Sequence, residues 1–164
     1  MSIQANESAK SEVLKIRTVP LDIRAILDVI AKRKYSFKSG EINCLNLSRT
    51  DLRNTNLRDV NLSGADLSWA HFEGADLGNT ELSAVKQSGA HLEGADPSRA
   101  YLNGAYLEGA NFEGANLEGA NLEVAQHLSF DQLSKVKTLY KAKLDEELKI
   151  LLQEKYHALF EEPK

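Results

Sequence analysis

The chain has a single cysteine, Cys44, so neither an internal disulfide framework nor a cysteine-rich metal module can form. Aromatic residues make up only 7% of the 164 residues, and any core must therefore be assembled from small and medium aliphatic side chains. No run of about 18 apolar residues exists that could span a bilayer. The opening MSIQANESAKSEVLKIR holds no apolar stretch of signal-peptide length. These absences predict a soluble, cytoplasmic protein that makes no use of a membrane. Catalytic signatures are missing as well: there is no phosphate-cradling glycine loop, no HExxH, no nucleophile elbow, and no His near Cys44 in sequence. The expectation is a non-enzyme without a cofactor.

What the chain does have is a period of five, running through residues 45 to 127. Gly64-Ala65-Asp66-Leu67-Ser68 and Gly114-Ala115-Asn116-Leu117-Glu118 show the unit. Seventeen pentads are centred from Leu47 to His127; fourteen centres are Leu or Phe, and the residue two before the centre is Ala in eleven. A period of five fits neither a helix, at about 3.6 residues per turn, nor a strand, at about 2 per repeat. The chain must instead turn once per pentad. If each pentad is one side of a square, the centre and the residue two before it both point inward, and a compact residue such as Gly falls near the corner. Four pentads then close one coil, and coils stack at about 4.8 Å through backbone hydrogen bonds.

These residues resemble the pentapeptide-repeat family, and the resemblance implies a mainly β fold, the right-handed quadrilateral parallel β-helix, here with about four coils. The flanks resemble terminal segments of cyanobacterial members of that family: Val19-Pro20-Leu21-Asp22-Ile23-Arg24-Ala25 before the repeats and Leu128-Ser129-Phe130-Asp131-Gln132-Leu133 after them. An open end of such a stack exposes apolar interior and unpaired backbone, so both ends call for lids. Residues 18–40 are predicted as an N-terminal helical cap with Ile23, Ile26, Leu27 and Ile30 as its apolar stripe, behind a partly mobile segment 1–17. After the β-helix of residues 41–127, residues 128–164 are predicted as a C-terminal helical cap. Ser129 opens a short helix carrying Leu133, Val136 and Leu139, and a second helix from about Asp145 aligns Leu148, Leu151, Leu152, Leu159 and Phe160.

Charge is segregated along the chain. Residues 1–40 carry a net +4, residues 41–127 a net −8 and residues 128–164 zero. Residues twenty apart share a column, which places Arg53, Glu73, Glu93 and Glu113 above one another beside Asp51, His71, His91 and Asn111. The plain reading of such a face is solvation of a repetitive protein, and with it goes a purely structural or stress-linked role in which no single side chain matters. The functional reading is a rigid acidic surface for a basic protein partner, with Glu73, Glu93 and Glu113 as its main residues and His71, His91 and Trp69 as secondary ones. His71 and His91 could share a divalent metal with Glu73 or Glu93, but an exposed column does not by itself converge, so no metal site is expected.

The family resemblance also implies a second possibility, because the family includes bacterial proteins that bind DNA gyrase by imitating duplex DNA. Eight net charges over roughly 20 Å of pillar give about 0.4 per Å, against about 0.6 per Å for duplex DNA, but the length matches only about six base pairs. Direct nucleic-acid binding is not expected, and a monomer is favoured over a dimer. Two centres break the pattern, Gln87 and Pro97, as does His127 at the last one. Gln87 is expected to bury an amide, and Pro97 to remove one ladder donor.

Overall fold

The computed structural model describes residues 45–163. The predicted N-terminal segment and cap, and Cys44, lie outside them. Within the described residues, each pentad repeats one backbone unit. A residue just before the centre forms a parallel bridge with its counterpart twenty residues on, as in Asn46↔Asp66, Asp66↔Lys86 and Lys86↔Tyr106. The centre then donates to the coil above, Leu67 N–H to Lys86 O at 2.7 Å and Leu107 N–H to Gln126 O at 2.9 Å. The chain turns immediately afterwards. The residue three past the centre donates back to the centre's carbonyl, as Ala70 N–H does to Leu67 O at 3.1 Å.

This unit explains the sequence period. A centre and the residue two before it are the only positions facing inward, so Leu67, Phe72, Leu77, Leu107 and Phe112 stack with Ala70, Ala75, Ala90 and Ala110 in one continuous buried cluster. The second inward position is mostly Ala but also takes Val, as at the buried Val60 and Val85. Where Thr takes that place its hydroxyl is satisfied by backbone: Thr55 Oγ1 donates to Leu52 O at 2.6 Å and Thr80 Oγ1 to Leu57 O at 3.0 Å.

The corner residue, two after each centre from Leu47 to Leu122, lies in the left-handed region, as the second central position of a type II turn demands. Gly89 and Gly114 sit there as expected, but so do Arg49, Asn54, Asp59, Trp69, Arg99 and Val124. The hydrogen-bond ladder therefore enforces the corner conformation even on residues that disfavour it. Val124 is the extreme case: a β-branched residue at φ 53°, 67% exposed, its N–H held by Asp145 Oδ1 at 2.9 Å. A left-handed L-residue costs roughly 1–2 kcal/mol, and little burial is lost by removing this side chain. Val124→Gly should therefore raise stability by about 1 kcal/mol, read as a higher urea midpoint; a lower midpoint would show that the valine is not strained.

The ladder does not stop at residue 127. Beyond the last regular pentad the chain forms α1 (Phe130–Leu133) and then resumes the repeat, with bridges Asn116↔Thr138 and Asn121↔Lys143 at a spacing of 22 residues. Leu139 is a further centre: Ala142 N–H donates to Leu139 O at 2.9 Å, Lys141 takes the corner at φ 57°, and Leu139 and Leu144 are buried. The expected helix through Leu133, Val136 and Leu139 is thus corrected to one turn ending at Leu133, with Val136 buried from the bend that follows it and Leu139 from the resumed ladder. The second helix, α2 (Glu146–Lys155), follows Asp145 as expected. Leu152 is its buried residue, whereas Leu151 is 49% exposed, and Leu159 and Phe160 pack on the core from a separate 3-10 turn, His157–Phe160.

Candidate functional site

The face that carries the acidic column is built by the pentads centred on Leu52, Phe72, Leu92 and Phe112. Bridges Asp51↔His71, His71↔His91 and His91↔Asn111 set one side of it in register. Each of these residues then meets the residue two further on, which lies beside it on the same face. Asp51 and Arg53 form a forked ion pair, at 2.8 Å to Arg53 Nε and 2.6 Å to Arg53 Nη2. The side-chain and backbone hydrogen bonds from Arg53 hold the Asp51 carboxyl down at about 2. One coil up, His71 Nδ1 lies 3.0 Å from Glu73 Oε1. One further, His91 Nδ1 lies 3.3 Å from Glu93 Oε1, which also accepts from Asn111 Nδ2 at 2.7 Å.

The two imidazoles stack, with ring centroids 4.6 Å apart and planes 8° from parallel, the separation imposed by neighbouring extended segments. Exposure falls along with this ordering. Glu73 and Glu93 are half-buried, and only Glu113 of the three glutamates is exposed. The second carboxylate oxygens, Glu73 Oε2 and Glu93 Oε2, are shut off from solvent without a hydrogen-bond partner. Burial pushes the Glu73 carboxyl up. The hydrogen bonds from His71 and from its own backbone, with the charges of His71 and His91, outweigh that and bring it below its ordinary value.

The column thus converges, which an exposed face does not by itself guarantee. His71, Glu73 and His91 offer ligand atoms that all lie within 4.8 Å of one another. Glu113 is tied only through its backbone, its N–H donating to Asn111 Oδ1 at 3.1 Å. Asn111 accepts from backbone through Oδ1 as Asn116 and Asn121 do, and its free Nδ2 adds the bond to Glu93, which the column pattern alone did not foretell.

Trp69 stands at the corner two residues before His71, 55% exposed and at φ 61°. Its indole lies against Gly89, where an added Cβ would come 2.7 Å from ring atoms Cε3 and Cζ3. The bare backbone of Gly89 is what lets the ring lie down. Tyr101 is exposed, while Tyr106 donates to Glu108 Oε2 at 2.8 Å and packs against the exposed His127, with ring centroids 4.5 Å apart. Gln87 is fully buried, and neither its side-chain oxygen nor its nitrogen has a partner. Pro97 is buried too and cannot donate to the ladder, although Asn116 N–H still reaches Ala95 O at 2.9 Å. No described helix is long and apolar enough to cross a membrane.

The sequence model for pentapeptide repeats matches residues 44–79 and 80–123, with eight copies. No curated protein matches the chain. Among solved structures, HetL, a protein involved in heterocyst differentiation regulation in the cyanobacterium Nostoc sp. strain PCC 7120, is 36% identical; the match covers 49% of this chain and 38% of HetL, with a TM-score of 0.48. Rfr23 from the cyanobacterium Cyanothece 51142 is 38% identical over 58% of this chain and 60% of its own, with a TM-score of 0.47. QnrB1, a plasmid-mediated fluoroquinolone resistance protein, is 25% identical over 68% of this chain and 64% of its own, with a TM-score of 0.31. The chain therefore spans well under two thirds of HetL and somewhat under two thirds of Rfr23. The five-residue register, the bridges at twenty-residue spacing and the eight matched copies lead to one conclusion: residues 44–123 of the protein are a pentapeptide-repeat region.

Proposed function

We propose that the chain is a non-catalytic scaffold, a right-handed quadrilateral β-helix that presents its acidic face to a protein partner with a basic surface. The observation that carries this reading is the fixing of the face before any partner arrives. Glu73 and Glu93 are held by His71, His91 and Asn111, and the exposed Trp69 sits at the adjoining corner. Side chains already immobilised lose little entropy on docking, where each free one would cost about 0.5–1.5 kcal/mol. Glu113 and Trp69 are the accessible parts of the face and would make first contact; Glu73 and Glu93 add field rather than reach.

The test is capture of partners from native lysate by the wild-type chain beside Glu73→Gln/Glu93→Gln/Glu113→Gln. A partner lost by the triple variant, and released from wild type by raised salt, is the expected result, because exposed charge pairing is screened within about 10 Å at 0.1 M. A partner retained equally by both proteins would move the binding surface elsewhere. Interference with a topoisomerase by imitation of duplex DNA is the alternative, favoured by the net −8 of residues 41–127. Its readout is a supercoiling assay with and without the protein.

A further inference from the structure

We propose that His71, His91 and Glu73, with Glu93 beside them, form a binding site for one first-row divalent transition-metal ion of the zinc and nickel class. Tetrahedral ligands at about 2.0–2.1 Å from zinc stand roughly 3.3 Å apart. The His71 Nδ1 to Glu73 Oε1 separation of 3.0 Å and the His91 Nδ1 to Glu93 Oε1 separation of 3.3 Å already have the length of such an edge. Each Nδ1 faces the glutamate two residues on, the rings stack at 4.6 Å and nearly in parallel, and ligand atoms of His71, Glu73 and His91 lie within 4.8 Å of one another. Bringing them onto one ion takes a tilt of about 1 Å, a small adjustment for rings that are half-exposed.

Four features point to a cation rather than to a self-sufficient network. The first two are the orphaned oxygens, Glu73 Oε2 and Glu93 Oε2, buried acceptors that nothing in the protein satisfies; such groups are costly unless a partner is supplied, and a carboxylate that chelates through both oxygens, or turns about its terminal bond, would bring them onto the ion. The third is that the nearby cation of the column, Arg53, is committed to Asp51 through two short contacts. The fourth is that Asn111 orients Glu93 from above through its amide, at 2.7 Å, as an outer partner orients a metal-binding carboxylate. Two imidazoles with carboxylate select zinc, nickel or copper over calcium and magnesium, which take oxygen alone. Binding displaces any proton held on the participating Nδ1 atoms, since only the neutral imidazole ligates.

The experiment is calorimetric titration of the intact chain with Zn2+, together with titration of Ni2+ followed by the fluorescence of Trp69, the only tryptophan and two residues from His71. His71→Gln and His91→Gln keep the fold, because Gln126 occupies the same position of its own pentad. Expected are one Zn2+ per chain, quenching of Trp69 by Ni2+, and loss of affinity in either His variant beyond the roughly 10–100-fold that removal of an outer partner costs. Glu73→Gln should weaken binding in the same assay, and His157→Gln, at the exposed His157–Glu161 pair, should leave it unchanged. Absence of Zn2+ binding would overturn the proposal, as would binding that survives both His71→Gln and His91→Gln or that disappears in His157→Gln. The isolated chain needs no docking partner for this measurement, so a negative result here leaves the acidic-face reading standing, and the converse holds too.

Discussion

Gln132→Ala should destabilise the protein by about 3 kcal/mol, at about 1 kcal/mol for each of three hydrogen bonds lost. The residue closes the last regular coil. In the coils below, the carbonyl of each small inward residue accepts from the N–H twenty-one residues on, as Ala90 O does from Asn111 and Ala105 O from Gln126. For Ala110 that donor would be residue 131, but the chain has left the ladder there to form α1. The Gln132 amide takes over: Nε2 donates to Ala110 O at 2.9 Å and to Leu107 O at 2.7 Å. Its Oε1 meanwhile accepts the Ser129 N–H at 2.8 Å, and the Ser129 hydroxyl accepts from Gln132 N–H, which completes a capping box for α1. One side chain thus starts the terminal helix and fastens it to the pillar.

Gln132→Glu separates these two duties. A carboxylate still accepts from Ser129 and is a good residue at that place in a capping box, but it has nothing to donate to Leu107 O and Ala110 O. If the latch dominates, the Glu variant melts at least as low as the Ala variant. The drop should be about 6–12 °C for Ala, taking about 2–4 °C per kcal/mol at this chain length. Amides of the terminal coil such as Gly114 and Gly119, which donate to Lys135 O and Tyr140 O at 2.9 and 2.8 Å, should exchange faster in both. Full wild-type stability in Gln132→Glu would show that helix capping alone accounts for the residue.

The sequence made the pillar legible because its constraint is one of register. A centre displaced by one residue would point outward, so Leu67 and Leu107, fully buried in one column, could be placed without knowing any contact. The return of the ladder at Leu139 and Leu144 was hidden by the two residues gained across α1. Leu133, Val136 and Leu139 are then spaced by three and imitate a helix face, although Leu139, Ala142 and Leu144 carry the pentad spacing in shifted phase. The corner was legible as a turn, but not its tolerance of Trp69 and Val124, because propensity is overridden where a ladder bond on either side fixes the backbone. At the site, twenty-residue columns placed His71 above His91. They could not supply the rotamers that bring each imidazole onto the glutamate two residues away, nor the seclusion of the second carboxylate oxygens, since both are set by side-chain torsions rather than by register.

Gln87→Leu should raise the melting temperature. The backbone of Gln87 is fully engaged, its N–H donating to Tyr106 O at 2.9 Å and its carbonyl accepting from Ala90 N–H at 3.0 Å. Its side chain points into the interior, in the column that holds Leu67 below and Leu107 above, and both polar atoms of the amide lack partners. A buried polar group left unsatisfied costs about 1–3 kcal/mol, whereas Leu has nearly the same volume and the chemistry of its neighbours in the column. Removing that penalty should shift the midpoint upward by about 2–12 °C at about 2–4 °C per kcal/mol. Gln87→Ala serves as the volume control. It removes the same unsatisfied amide but leaves a void among leucines, and large-to-small core changes typically cost about 2–5 kcal/mol. The expected order of melting is therefore Leu, then wild type, then Ala. If the Leu variant melts at or below the wild type, the amide is bonded in solution, and the interior at this coil is polar by construction rather than by drift of one repeat.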